Sequence, residues 1–109
     1  MSNYYNEDIF PTESDVLFGK GKGADNHPGN KHFRTLISRL VDEYDTEDKI
    51  KKNNVAVKVR NEIQSFGRFL SRQGEIYYIE TDRKVMDKIK QAFRDRLKKI
   101  LKDRCVSSL

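Results

Sequence analysis

The 109-residue sequence predicts a small α+β domain: three main helices, with a two-stranded β-hairpin between the second and the third. Three observations carry the prediction. Apolar residues recur at helical spacing from Phe33 to Tyr44, and again from Val85 to Leu101. Between them, residues 68–71 and 75–80 form two short runs rich in apolar and aromatic residues, separated by Arg72-Gln73-Gly74.

The first helix is expected to begin near Asn30, a good N-cap residue after the Pro28-Gly29 turn. Phe33, Leu36, Ile37, Leu40, Val41 and Tyr44 make its apolar stripe. Asp45-Thr46 ends it, and Thr46, Glu47 and Asp48 offer a cap and an acidic first turn to a second helix. That helix carries Ile50, Val55, Ala56, Val59, Ile63 and Phe66 on or near one face, with Asn53-Asn54 a candidate break in its first turn. Gly67 stands where a left-handed C-cap is expected. In the hairpin Gly74 takes the positive-φ position, and the second strand directs Ile76 and Tyr78 one way, Tyr77 and Ile79 the other. Thr81 or Asp82 caps the final helix, whose stripe of Val85, Ile89, Phe93, Leu97, Ile100 and Leu101 runs to about Arg104. The expected organisation is therefore a flexible acidic leader over residues 1–14, a basic domain over 15–104 and a flexible tail over 105–109.

Charge is distributed unevenly. Four acids and no base lie between Met1 and Phe18, so a chain of net charge +5 carries nine surplus positive charges on the remainder. Ten basic residues face three aspartates between Arg83 and Arg104. A cationic body of this kind favours a polyanion, because each phosphate neutralised releases counterions.

Residues 15–33 read DVLFGKGKGADNHPGNKHF, a glycine-rich stretch that ends at the first helix. Gly19, Gly21 and Gly23 alternate with Lys20 and Lys22, presenting free amides and two cations to a phosphate. It is not a nucleoside-triphosphate loop, since Asn30, Lys31 and His32 occupy the helix start where a lysine and a hydroxyl are required. The same stretch has a purely structural reading: Asn26 and Asn30 as Asx-turn formers, Pro28-Gly29 as a bend, His27 as a hydrogen-bonding loop residue, and Val16-Leu17-Phe18 as an apolar anchor.

The candidate nucleic-acid contacts are Lys20 and Lys22 in the loop, Lys58 and Arg60 in the second helix, Arg68 and Arg72 in the hairpin, and Arg94, Lys98 and Lys102 in the last helix. A helix followed by a basic hairpin resembles winged-helix architecture, though the element order departs from it. No serine, cysteine or lysine sits in a nucleophile arrangement, and His27, His32 and Cys105 do not make a four-ligand metal site, so neither catalysis, a cofactor nor a metal is expected. The single cysteine and the absence of a signal-like MSNYYNEDIF start point to a reducing compartment. No apolar run approaches a membrane span, and a nuclear location is the expectation.

The pieces Asp15-Val16-Leu17, Gly19-Lys20-Gly21, Asn26-His27-Pro28-Gly29-Asn30, Phe33, Gly67-Arg68-Phe69-Leu70, Tyr77-Tyr78 and the span from Lys84 to Phe93 resemble a small domain family of unknown function, abundant in diatoms and found in other protists. In that family's pattern Phe18 stands for a usual cysteine and Lys20 for a usual arginine. The chain also resembles the small DNA-binding-type accessory subunits of ciliate DNA adenine methyltransferase complexes. That resemblance implies a partner that holds the methyl donor and the target adenine, while this chain supplies DNA affinity or helps assembly. The leading expectation is thus a non-enzymatic DNA-binding module of a nuclear complex. Two alternatives stand beside it: an adaptor that docks other subunits through Tyr4, Tyr5, Phe10, Tyr77 or the last helix, and RNA binding with Tyr77 and Tyr78 stacked on unpaired bases.

Overall fold

The computed structural model describes residues 8–19 and 22–107. Its elements run β1 (Val16–Leu17), α1 (Lys22–Asp25), α2 (Pro28–Tyr44), α3 (Lys49–Gln64), β2 (Phe69–Gln73), β3 (Ile76–Ile79) and α4 (Asp82–Ser107). The domain is α+β, as expected, with four helices in place of three and a three-stranded sheet, ordered β1-β2-β3, in place of a hairpin alone. The additions are the shortest elements. Two residues carry no periodicity to read, and β1 exists because Val16 and Leu17 find Phe69 and Leu70 in parallel register, 53 residues away.

Helix α2 opens at Pro28, not Asn30. Proline's fixed φ and missing N–H suit the first helical position, and His27 becomes the cap residue. This frees the Asn30 side chain for another task. The N–H of Val16 and that of Phe18 donate to β2, so the N–H and C=O of Leu17 point away from the sheet. Asn30 takes both: the Leu17 N–H donates to Asn30 Oδ1 at 2.7 Å, and Asn30 Nδ2 donates to the Leu17 carbonyl at 2.9 Å. A side-chain amide thereby closes the edge of β1 as a neighbouring strand would. Asn30→Ala is expected to cost about 1–3 kcal/mol in urea denaturation, although alanine is the better helix former. An unchanged midpoint would remove Asn30 from this role.

The expected stripe of α2 holds: Phe33, Leu36, Ile37, Val41 and Tyr44 are buried, with Leu40 half-buried. In α3 the core positions are Val55, Ala56, Val59 and Ile63. Ile50 and Phe66, assigned to the same stripe, lie 74% and 69% exposed: Ile50 is in the first turn, ahead of the buried positions, and Phe66 is past the end of the helix. Asp48 caps α3, accepting from the Ile50 and Lys51 N–H groups, while Thr46 accepts from Asp48 N. Asn53-Asn54 passes through α3 without a break. Val85, Ile89 and Phe93 of α4 complete the core, where the Phe93 ring stacks on Tyr44 with centroids 4.4 Å apart. Phe69 of β2 is held edge-on between Phe18 and Phe33, which fastens the sheet to the helices.

The hairpin loop is Gly74-Glu75, with Gly74 at φ +63° as its two-residue length demands. Gly67 is not left-handed. Helix α3 closes at Ser65 in ordinary helical geometry, and Gly67 is small for a different reason, given below. Helix α4 continues to Ser107, past the expected end.

Candidate functional site

The glycine-rich stretch splits in two. Its first part is a structural junction centred on Asp15, which is fully buried. One carboxylate oxygen accepts from the Arg68 backbone N–H at 2.8 Å and from Arg68 Nε at 3.2 Å. The other accepts from Arg68 Nη2 and from the Thr12 N–H, both at 2.8 Å. Arg68 Nη2 also donates to the Phe10 carbonyl, and a ring nitrogen of His27, Nε2, lies 2.8 Å from the Thr12 carbonyl. Residues 10–14, placed in the leader by composition, are thus tied to the body.

Burial opposes the charge on Asp15, but the Arg68 guanidinium and the two amides outweigh it and hold the carboxyl below its ordinary value. The Asp15 hydrogen bond in turn raises Arg68. Two glycines make the junction possible. A Cβ on Gly29 would collide with the Asp15 backbone carbonyl, and one on Gly67 with the Ser14 carbonyl. Both glycines allow close approach, and neither is present for its φ.

The second part borders a cleft. Leu17, Phe18, Gly19, Gly23 and Ala24 form one wall and Arg72 with Tyr77 the other, around about 480 Å³. Arg72 and Tyr77 are cross-strand partners, and the guanidinium lies 6.0 Å from the ring centroid. Gly19 takes φ +128°, open only to glycine. Lys20 lies outside the described residues, and of Lys22 the backbone alone is described, in α1.

The remaining candidate cations divide by what they touch. Lys58 pairs with Glu43 at 3.1 Å, Arg60 with Asp82 at 3.0 Å, and Arg68 with Asp15. Arg72, Arg94, Lys98 and Lys102 are exposed and form no ion pair among the described residues, Arg94 donating instead to Gln91. Spacing of four residues puts Arg94, Lys98 and Lys102 in one row on α4, about 12 Å long at 1.5 Å per residue. Of the seven candidates whose side chains are described, Lys58, Arg60 and Arg68 are paired with acids.

Lys88, one of the ten basic residues between Arg83 and Arg104, is half-buried. Its ammonium lies 4.8 Å from the Phe18 centroid and 5.7 Å from that of Phe33. Burial lowers its pKa, and Asp25 acts in the opposite direction. Glu80, also buried, accepts from the Ser71 hydroxyl and the Thr81 N–H. The Ser71 bond holds its carboxyl below the ordinary value against desolvation. Neither was legible beforehand, because each partner arrives from another element. The signal for Asp15 was present, a lone carboxylate ahead of an apolar run, but Arg68 follows 53 residues later.

Among the described residues no helix is long and apolar enough to cross a membrane. No curated protein and no solved structure matches the chain. The family described as a domain of unknown function (DUF6824) matches residues 15–95, from the buried Asp15 to Asp95 in the middle of α4, and the chain belongs to that family.

Proposed function

We propose that this domain is a non-enzymatic nucleic-acid-binding module, acting on duplex DNA as an accessory subunit of a nuclear complex. The observation that carries the reading is the set of exposed cations without acidic partners among the described residues: Arg94, Lys98 and Lys102 in a row on α4, and Arg72 against Tyr77 beside the glycine-lined cleft. A duplex carries a charge every ~1.7 Å of its axis, so a row about 12 Å long addresses several phosphates at once. In the sequence Lys20 and Lys22 follow Gly19 and add two further charges to this stretch. In its fuller form the reading follows the resemblance to methyltransferase accessory subunits: the catalytic companion holds the methyl donor, and this chain holds the DNA.

Anisotropy titration of a duplex probe tests it. With Arg72, Arg94, Lys98 and Lys102 each on a phosphate, log affinity falls by about 3.6 per log unit of salt, roughly 0.9 per contact. Replacing those four by glutamate abolishes binding, whereas Lys58→Glu leaves it near the wild-type value. No binding at low salt sinks the proposal. A matched RNA probe that displaces the duplex would transfer the site to RNA.

A second reading, the protein adaptor, is favoured by one feature. Strand β3 is an edge strand with Ile76 70% and Ile79 59% exposed, an apolar edge of the kind proteins use for strand addition. Loss of DNA binding in the four-residue variant with intact co-purification of a partner separates the two activities.

A further inference from the structure

We propose that the groove between α2 and α4 is a docking site for an acidic amphipathic helix of a partner protein. This goes beyond DNA binding and uses a different face of α4. The groove holds about 310 Å³. Phe33 and Ile37 from α2 and Ala92 from α4 form its floor, and Arg34, Arg96 and Lys99 stand around it, with Asp95 the acid among its lining residues.

Arg96 is the informative residue. Its Nε is the buried side-chain polar atom that has no hydrogen-bond partner among the described residues. Its position explains why: one turn beyond Ala92, Arg96 falls on the side of α4 that faces α2, where a shorter or apolar side chain is expected. A buried guanidinium N–H without an acceptor costs on the order of 1–3 kcal/mol, and a carboxylate is the acceptor that recovers the most. Asp95 does not serve: it is the preceding residue, about 100° round the helix, and its Oδ1 accepts from Gln91 Nε2 at 2.8 Å. Arg34 spends one nitrogen on the Asp25 carbonyl, which fixes its side chain at the rim.

The chemistry selects the occupant. A phosphodiester would answer Arg34, Arg96 and Lys99 as a carboxylate does, but it would leave the apolar floor of Phe33, Ile37 and Ala92 uncovered, which favours an occupant with an apolar side chain as well as an acid. A second copy of the chain would bring its own strongly basic α4 against the same cations. A helix with a leucine or similar residue for the floor and glutamates one turn away meets both requirements, in the helix-in-groove manner. Arg94, Lys98 and Lys102 follow the adjoining row on α4 and are not among the residues that line the groove.

The test is a nitrogen-15 NMR titration of the full chain with a synthetic helix of about 15 residues that carries leucine and glutamate four apart. A copy with every glutamate replaced by lysine serves as control. The side-chain Nε–H signal of Arg96, identified by its loss in Arg96→Lys, should move saturably with the acidic peptide. The backbone amides of Phe33, Ile37 and Ala92 should move with it, and the lysine peptide should shift none of them. Arg96→Met should weaken the peptide at least tenfold while duplex binding stays at the wild-type level. The proposal is overturned if the acidic peptide gives no saturable shift, if Arg96→Met binds it equally well, or if duplex DNA rather than the peptide moves the Arg96 signal.

Discussion

Asp15→Ala is expected to lower the folding free energy by about 3–5 kcal/mol in urea denaturation, because it leaves the Arg68 guanidinium and two amides facing a void. For a domain whose whole stability is of the order of 5–15 kcal/mol, that is about a fifth of it or more. Arg68→Ala should cost a comparable amount, and the double variant much less than the sum of the two singles, since both remove one interaction. Additive costs would show that the pair is incidental. The acid limb carries an independent signature. The Asp15 carboxyl is held below its ordinary value of 3.8, so its stabilisation is complete above that value and is lost as pH falls through the depressed one. Glu80 is shifted in the same direction and adds to the loss. In Asp15→Asn the stability curve should fall less steeply below pH 3.8, with the Glu80 contribution retained; an unchanged acid limb removes Asp15 from this account.

Gly29→Ala is the second large effect, and its sign runs against helix propensity. Glycine lies inside the first turn of α2, where alanine ordinarily gains about 1 kcal/mol. Here the added methyl meets the backbone carbonyl of Asp15, which cannot retreat without breaking the Arg68 fork and the Asn30 bonds to Leu17. We expect a net loss of about 2 kcal/mol or more, as overpacking against backbone does. Gly67→Ala should behave alike, through Ser14. Gly23→Ala is the matched control: it lies in α1 with nothing within 4 Å of the added carbon, so its midpoint should stay level or rise. If Gly29→Ala and Gly23→Ala give the same midpoint, close approach is not what keeps Gly29.

The Asp15 junction also bears on the candidate site, because it settles the end of the glycine stretch that is structural. Arg68 counted as a DNA contact on charge alone; its geometry makes it a fastener between β2 and the segment before β1. Lys58 and Arg60 likewise meet Glu43 and Asp82, which lie 15 and 22 residues away in the chain. The candidates without an acidic partner among the described residues stand where periodicity could already place them: a row at four-residue spacing on a single helix, and an arginine beside a tyrosine across a hairpin whose turn glycine was evident.

Local order determined the three long helices, the Gly74 turn and the apolar stripes, because helix period, caps and turn chemistry are written within a few residues of one another. The three-dimensional packing decided the rest. Strand β1, the uses of Asn30, Gly29 and Gly67, the half-burial of Lys88 and the orphaned Nε of Arg96 all depend on which distant backbone or side chain comes to lie alongside. A charge or a glycine has no fixed meaning until that neighbour is known, since the same group costs or stabilises according to whether water, an acceptor or a carbonyl stands next to it.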